Sequence, residues 1–355
     1  MLLRKENPGW GAQSILLELQ VIYAYQQTLF PSEDSIRRYL KQEGFFTNKE
    51  PKGNLPITPC KLPKEVHEQW EMDAEGAVLI MGIGHHSTIN VKDGRSKKYC
   101  MSFPVQVANL STQPSMIHYQ WCLRLAFIES GRPKRIQVDK DSVFIENSSR
   151  SPFPSKLHLW LLALGVDLCF IDRPPPAKNA MVERSHQTIH NQVVKGKTYK
   201  TWRKLFNTSE QRRQVLNEQF ACSTLGKKAP LQAFPKATHS GRVYTIEQEW
   251  ELLELGKVYN FLAKGIWYRK VSSNKGIKLG TYRYYVKQAK PGTHITITFC
   301  EKRKELIFHD VNELLLCTTP LQGITKEILM KSTTTDLLKT YKRLFNARNF
   351  PLGKK

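Results

Sequence analysis

The sequence predicts a mixed α/β domain, preceded by a helical region and followed by a small β-rich one. Three patterns in its 355 residues carry this. Apolar residues recur at helical spacing within 1–48. Strand-like runs, then alternating helix and strand, fill 65–236, and short aromatic and β-branched runs with Gly, Asn and Lys turns occupy 237–330.

The first helix is "GAQSILLELQVIYAY", with Ile15, Leu16, Leu19 and Ile22 at helical spacing. "PSEDSIRRYLKQEGF" follows, with Ser32 as N-cap and Glu33 and Asp34 at the positive helix end. Ile36 and Leu40 are expected inside and Arg37, Arg38 and Lys41 outside, which suits a helix-turn-helix-like DNA-binding region over 1–48. A helical hairpin packed on a neighbouring element fits the same residues. "TNKEPKGNLPITPCKLPKE" has prolines but no periodicity, so 49–64 reads as a linker.

Next come strands in "QWEMDAEGAVLI", "STINV" and "KKYCMSFPVQV", the last two joined by the turn "DGRS". A helix from about Ser111 to Glu129, the strand "RIQVD", the helix "SKLHLWLLAL" and the strand "GVDLCFI" then alternate. After "RPPP" a helix carries "NAMVERSHQTIH", and "TSEQRRQVLNEQF" is a further one. Such an order builds a mixed sheet covered by helices over 65–236. Within 237–330, "GIWYRKVS", "GIKLGTYRYYVK", "HITITFCE" and "ELIFHDVN" suggest a small β-barrel. Residues 331–355 read as a loosely held basic tail.

Lys plus Arg number 54 against 31 Asp plus Glu, a formal net charge of +23. That excess favours a polyanion as partner, nucleic acid ahead of an anionic membrane. "LHLWLLALGVDLCFI", the longest apolar stretch, is shorter than a spanning helix and broken by Gly165 and Asp167. "MLLRKENPGWG" lacks the apolar run of a secretion signal, so a cytoplasmic protein is expected, nucleoid-associated if its polyanion is DNA. The 7 cysteines are dispersed without a C-x-x-C pair, which fits reduced thiols and offers no zinc spacing. Exposed cations for DNA are expected at Arg37, Arg38 and Lys41, and at Lys264, Arg269 and Lys270 beside Trp267 and Tyr268; Lys140 is either a further phosphate contact or simply solvated.

Three acids sit where apolar segments deliver them. Asp73 is inside the first strand, Asp139 ends "RIQVD", and Glu183 lies near the start of the helix after "RPPP". In such a fold, side chains at strand ends and adjoining helix starts converge on one edge. Three carboxylates together repel one another and need cations to stay ionised. Hard oxygen donors without Cys or His suit two Mg²⁺ or Mn²⁺ ions, which clamp both oxygens of a phosphoryl displacement. Beside Glu183, Asn179, Gln187 and His190 share the polar helix face, while Val182, Ile189 and Val193 form the buried stripe. Ile136 and Val138 should face the core, and Asp141 should turn away from Asp139 or cap the next segment.

These motifs resemble the retroviral-integrase superfamily, whose RNase H-like cores carry an Asp, Asp, Glu triad, and most of all the integrase-type transposases of bacterial insertion sequences. Trp70 to Asp73 is similar to the family's W-x-x-D strand, and "GRPKRIQVDKDSVF" to its G-x-P-x-x-I-x-x-D motif. "NAMVERSHQTI" resembles N-G-x-V-E-R-x-H, so Asn179, Arg184 and His186 carry over around Glu183, with Gln187 beside them. The family usually continues its second aspartate as D-N-G-x-x-F; here Lys140 and Asp141 follow Asp139. The resemblance implies a two-metal DNA transposase that cuts and joins double-stranded DNA ends as a homo-oligomer. Two other readings share the residues: a catalytically inactive, transposase-derived DNA-binding protein, and a ribonuclease.

Overall fold

The computed structural model describes residues 2–23, 30–45, 63–139, 141–145, 151–171 and 180–345. Most of the expected linker, Lys140, and the proline loop with Asn179 lie outside the described residues. In chain order, helices α1 (Leu2–Glu6), α2 (Ala12–Ile22) and α3 (Glu33–Gln42) precede strands β1 (Gln69–Ala74), β2 (Val78–Ile80), β3 (Gly84–Asp93) and β4 (Tyr99–Gln106). Then α4 (Met116–Ser130), β5 (Arg135–Val138), α5 (Lys156–Ala163) and β6 (Asp167–Phe170) alternate. Helix α6 (Ala180–Ile189) continues as a π-helical turn (His190–Val194), followed by α7 (Trp202–Glu218), α8 (Pro230–Ala233), α9 (Glu249–Leu252) and α10 (Leu255–Leu262). Strands β7 (Trp267–Lys270), β8 (Gly276–Leu279), β9 (Tyr282–Tyr285), β10 (His294–Cys300), β11 (Glu305–His309) and β12 (Leu315–Pro320) come next, then α11 (Lys326–Met330) and α12 (Thr334–Phe345).

The chain divides into two compact units, Met1–Pro114 with Asp172–Gly241, and Ser115–Ile171 with Arg242–Lys355. In the first unit, Ser32 caps α3 by accepting from Ser35 N at 3.2 Å. Ile36 and Leu40 bury against Trp10, Ala12 and Ile15. This hairpin is seated on the rest of its unit. Trp10 Nε1 donates to Gln192 O at 3.2 Å, and its ring lies under Arg212 and Lys197, 4.6 and 5.0 Å from the centroid. The described residues of the 1–48 region thus form a helical hairpin packed on the rest of the unit.

β3 is the centre of this unit's sheet. It pairs antiparallel with β1 and β2, and with β4. The "DGRS" turn forms as expected: Asp93 accepts from Ser96 N at 2.7 Å and Ser96 Oγ at 2.5 Å, and also from His67 N at 2.8 Å. α7 begins at Trp202, six residues before the expected Thr208. The reason is aromatic packing: Trp202 stacks on Phe206 at 5.2 Å, and both meet Phe103 edge-on.

In the second unit β5 and β6 pair in parallel, Arg135 opposite Asp167. α4 is buried nearly all round from Tyr119 to Phe127 and ends at Gly131, whose φ of 68° is open to glycine. The C-terminal strands form a four-stranded sheet, β12-β11-β10-β7, and a separate hairpin, β8-β9. Tyr284 of the hairpin packs against Phe308 of the sheet, ring centroids 6.1 Å apart. Among the described residues no backbone ladder closes these strands into the expected barrel. Nor is 331–345 a loose tail. Thr333 caps α12 by accepting from Asp336 N at 3.2 Å, and Leu337 is buried. No described helix is long and apolar enough to cross a membrane, and the six cysteines among the described residues are free thiols.

His158 on α5 gives a test of this packing. It lies edge-on to Phe170 and Phe261, centroids 5.7 and 5.1 Å away, and burial pushes its imidazole down to about 4. The unfolded chain takes up this proton near its ordinary pKa of about 6.5, so stability falls as pH drops below that value. By pH 4 the loss from this one group reaches about 3 kcal/mol. A His158→Phe variant should lose this part of the pH dependence in urea titrations; equal slopes for the two proteins between pH 7 and 4.5 would refute it.

Candidate active site

Asp73 sits near the end of β1, whose Trp70 and Met72 are fully buried and fix the strand's register. Its cross-strand partner on β3 is Asn90. Helix α6 packs over both strands, and His186 is the side chain that joins them. Asn90 Nδ2 donates to His186 Nδ1 at 2.7 Å, which leaves the imidazole proton on Nε2. That nitrogen faces Asp73 Oδ2 at 3.4 Å, and the other carboxylate oxygen accepts from Ala74 N at 2.8 Å. One turn further along, His190 Nδ1 stands 3.2 Å from Glu75 Oε1, an ion-pair distance without hydrogen-bond geometry.

α6 is thus tied to the end of β1 at two points, through His186 and His190. Glu183 lies three residues before His186 in the first turn of the helix and is exposed. Arg184 and Gln187 are exposed as well, whereas Ser185, Ile189 and Val193 are buried. Ile189 and Val193 are the anchoring stripe expected from their spacing. The helix widens into its π-turn directly after Ile189, with Val193 inside the turn and Lys195 N donating to His190 O at 2.9 Å. Such turns recur at functional sites.

Asp139 belongs to the other unit. Ile136 and Val138 of β5 are fully buried, and Asp139 follows the strand's last residue, exposed. Asp141 is used differently. Its Oδ1 accepts from Ser142 Oγ at 3.0 Å and Val143 N at 3.3 Å, and its carbonyl receives Phe144 N and Ile145 N. The expected cap is what forms.

Can this donor set hold a metal? Carboxylate oxygens are the chemistry that Mg²⁺ or Mn²⁺ takes. Beside Asp73, two buried acceptors have no protein donor, Glu75 Oε2 and Asn90 Oδ1, and a cation would satisfy such atoms. Among the described residues no group of three or more His, Cys, Asp and Glu stands close enough to form a complete metal cluster. The donor types fit; the described side chains do not complete a ligand cage.

No protein-family model and no curated protein sequence matches the chain. Among solved structures it is similar to retroviral integrases. The trimeric HTLV-2 integrase catalytic core domain in complex with magnesium shares 13% identity over 47% of this chain and 95% of that one, at a TM-score of 0.35. The BIV integrase catalytic core domain shares 12% over 48% and 95%, at 0.33. The simian T-cell lymphotropic virus intasome, in complex with a PP2A regulatory subunit, shares 12% over 79% and 91%, at 0.38.

The cations expected to meet DNA divide into two groups. Arg38, Lys41, Lys264 and Lys270 are exposed. Arg37 is exposed but held by Glu33 at 2.5 Å and Asp34 at 2.7 Å. Arg269 has to be withdrawn as a phosphate contact. It shares the inward face of β7 with Trp267, and its guanidinium donates to the carbonyls of Lys278, Ser151 and Tyr268 at 2.9, 2.6 and 2.9 Å. Sequence reasoning missed Asn90 and Glu75. Asn90 is a polar residue inside the apolar run "TINV", and one carboxylate two residues after another keeps the same strand face.

Proposed function

We propose that this protein is a DNA-end-processing polynucleotidyl transferase of the integrase and insertion-sequence transposase type, with an RNase H-like core. The observation that supports it best is the tie between β1 and α6: His186 bridges Asp73 and Asn90, so that α6, the helix that carries the exposed Glu183, packs on β1 and β3. Asp73 and Glu183, with Asp139 as the third ligand the resemblance assigns, would hold two Mg²⁺ or Mn²⁺ ions. When bound, these cations would neutralise charge building on the phosphodiester during in-line displacement. The protein's own groups do the positioning. Ala74 N and His186 fix the Asp73 carboxylate, Asn90 fixes the imidazole tautomer, and Arg184, exposed next to Glu183, would meet a DNA phosphate. Asn179, Lys140 and Gln187 are proposed as neighbours of the site. Arg38, Lys41, Lys264 and Lys270 would contact the duplex backbone away from it. On paired DNA ends the active form would be a homo-oligomer, and a strictly monomeric complex in light scattering would contradict that.

A second reading is a DNA-binding protein with an inactive core. It is favoured by Asp73, both of whose oxygens already have protein partners. The two part in one assay. With a labelled DNA end, the first reading expects cleavage and joining that require Mg²⁺ or Mn²⁺ and stop with chelator. Intact DNA binding without cleavage in either metal would leave the second.

A further inference from the structure

The first unit contains a second concavity, built from residues that the chemistry above does not use. The β3–β4 turn and the segment from Thr224 to Phe234 wall a pocket of about 590 Å³. Arg95, Lys97 and Lys228 line it, and no carboxylate does. Three like charges in one concavity raise the local potential, and an anion relieves it.

The frame is fixed by backbone. Gly94 admits no side chain, since a Cβ would fall 2.8 Å from Pro63 Cγ and 3.0 Å from Gln69 O. Lys97, at φ 66°, turns back so that its Nζ donates to Gly94 O at 2.7 Å. Across the pocket, Cys222 N donates to Lys228 O at 3.0 Å and Lys227 N to Cys222 O at 3.1 Å, closing a tight loop. Gly226 at its tip has nothing within 4 Å of a would-be Cβ, so the floor there is open backbone.

The cations are available to a ligand. The Arg95 guanidinium lies over the Phe234 ring, 5.3 Å from its centroid, and among the described residues neither Arg95 nor Lys228 is in an ion pair. Two acids act on Lys97 from outside the lining, Glu71 and Asp93. Glu71 is buried, and Asp93 is spent on His67 N and Ser96. Lys92, also near, adds positive charge, and burial lowers the Lys97 ammonium pKa. A monocarboxylate would leave most of this charge unanswered, whereas a phosphate offers more charge and several acceptor oxygens for Arg and Lys donors.

We propose that this pocket binds a phosphate group through Arg95, Lys97 and Lys228, either a backbone phosphate of DNA or that of a free phosphorylated small molecule. The DNA source rests on the proposed function; the free source does not. Wild type and an Arg95→Ala, Lys228→Ala double variant are to be compared with two probes, a short random-sequence duplex over a series of salt concentrations and inorganic pyrophosphate by calorimetry. Both substituted side chains are exposed, and an unchanged melting curve checks the fold. If the source is DNA, the log–log salt slope of the variant is shallower by about 0.9, the share of one DNA phosphate that the pocket neutralises. If it is a free ligand, the variant binds pyrophosphate at least tenfold more weakly while its DNA slope stays as in wild type. A variant equal to wild type with both probes overturns the pocket. Wild type that fails to bind the duplex, yet loses pyrophosphate in the variant, keeps the pocket and removes the DNA-processing function.

Discussion

Asp73→Asn is expected to lower metal-dependent DNA cleavage and joining by on the order of a thousandfold, about 4 kcal/mol of transition-state stabilisation, while duplex binding persists. Removing one carboxylate charge from a divalent-ion site removes the attraction that holds the ion, and the isosteric amide keeps the strand packed. Glu183→Gln and Asp139→Asn should match it. His186→Gln should be milder, ~10–100-fold, because it acts by orienting Asp73 and not by touching the substrate. Asp141→Asn is the contrasting control. Its carboxylate is occupied by Ser142 and Val143, so the substitution weakens a cap by about 1 kcal/mol and spares activity. Joining that survives in Asp73→Asn would sink the assignment of the first ligand. Loss in Asp141→Asn with activity retained in Asp139→Asn would mean the second ligand is the other aspartate.

Local chemistry made much of this site legible in the sequence. Ser32, the Asp93 turn, the alternation of Ile136 and Val138, and the Ile189–Val193 stripe each arise from one residue type at one spacing. Asp141 was legible for the same reason: a short acid just past a strand caps the next turn of chain. What stayed hidden depends on partners far away in sequence. Trp10 looks like any helix-end aromatic until Arg212 and Lys197 close over it, some 190 to 200 residues on. Arg269 is a different failure. Its place two residues after Trp267 already put it on the inward face, and its charge drew attention away from that alternation. The tail helix was missed because its lysines masked an amphipathic pattern with one deeply buried leucine, Leu337.

The least legible feature carries the largest expected stability effect. Glu249, in the acid-rich run "EQEWELLE", is fully buried, and so is Arg124, the lone cation of α4. Their side chains meet in two hydrogen bonds of 2.8 Å, Nε to Oε2 and Nη2 to Oε1. Trp160 Nε1 donates to Oε1 at 2.8 Å, and Tyr244 OH to Oε2 at 2.5 Å, so the carboxylate is saturated. Arg124 also donates to Met330 O at 3.1 Å and lies against the rings of Trp121 and Trp160. The pair raises the guanidinium pKa above its ordinary range against the pull of burial, and burial with the adjacent Glu249 charge drives the Tyr244 phenol well above its own. Four sequence segments of the second unit meet in this knot: α4, α5, residues 244–249 and the end of α11. Glu249→Ala would strand a buried guanidinium and two donors, a loss of ~3–5 kcal/mol, which is a large share of the ~5–15 kcal/mol that a folded domain has. Arg124→Met combined with Glu249→Leu should recover most of it, because two apolar side chains leave no charge unpaired. Tyr244→Phe, which removes one of the four donors, should cost only ~1–3 kcal/mol. Urea titrations of these variants, with Arg124→Met and Glu249→Leu each alone, decide the matter. Single and double replacements that come out additive would show that Arg124 and Glu249 do not act as a pair.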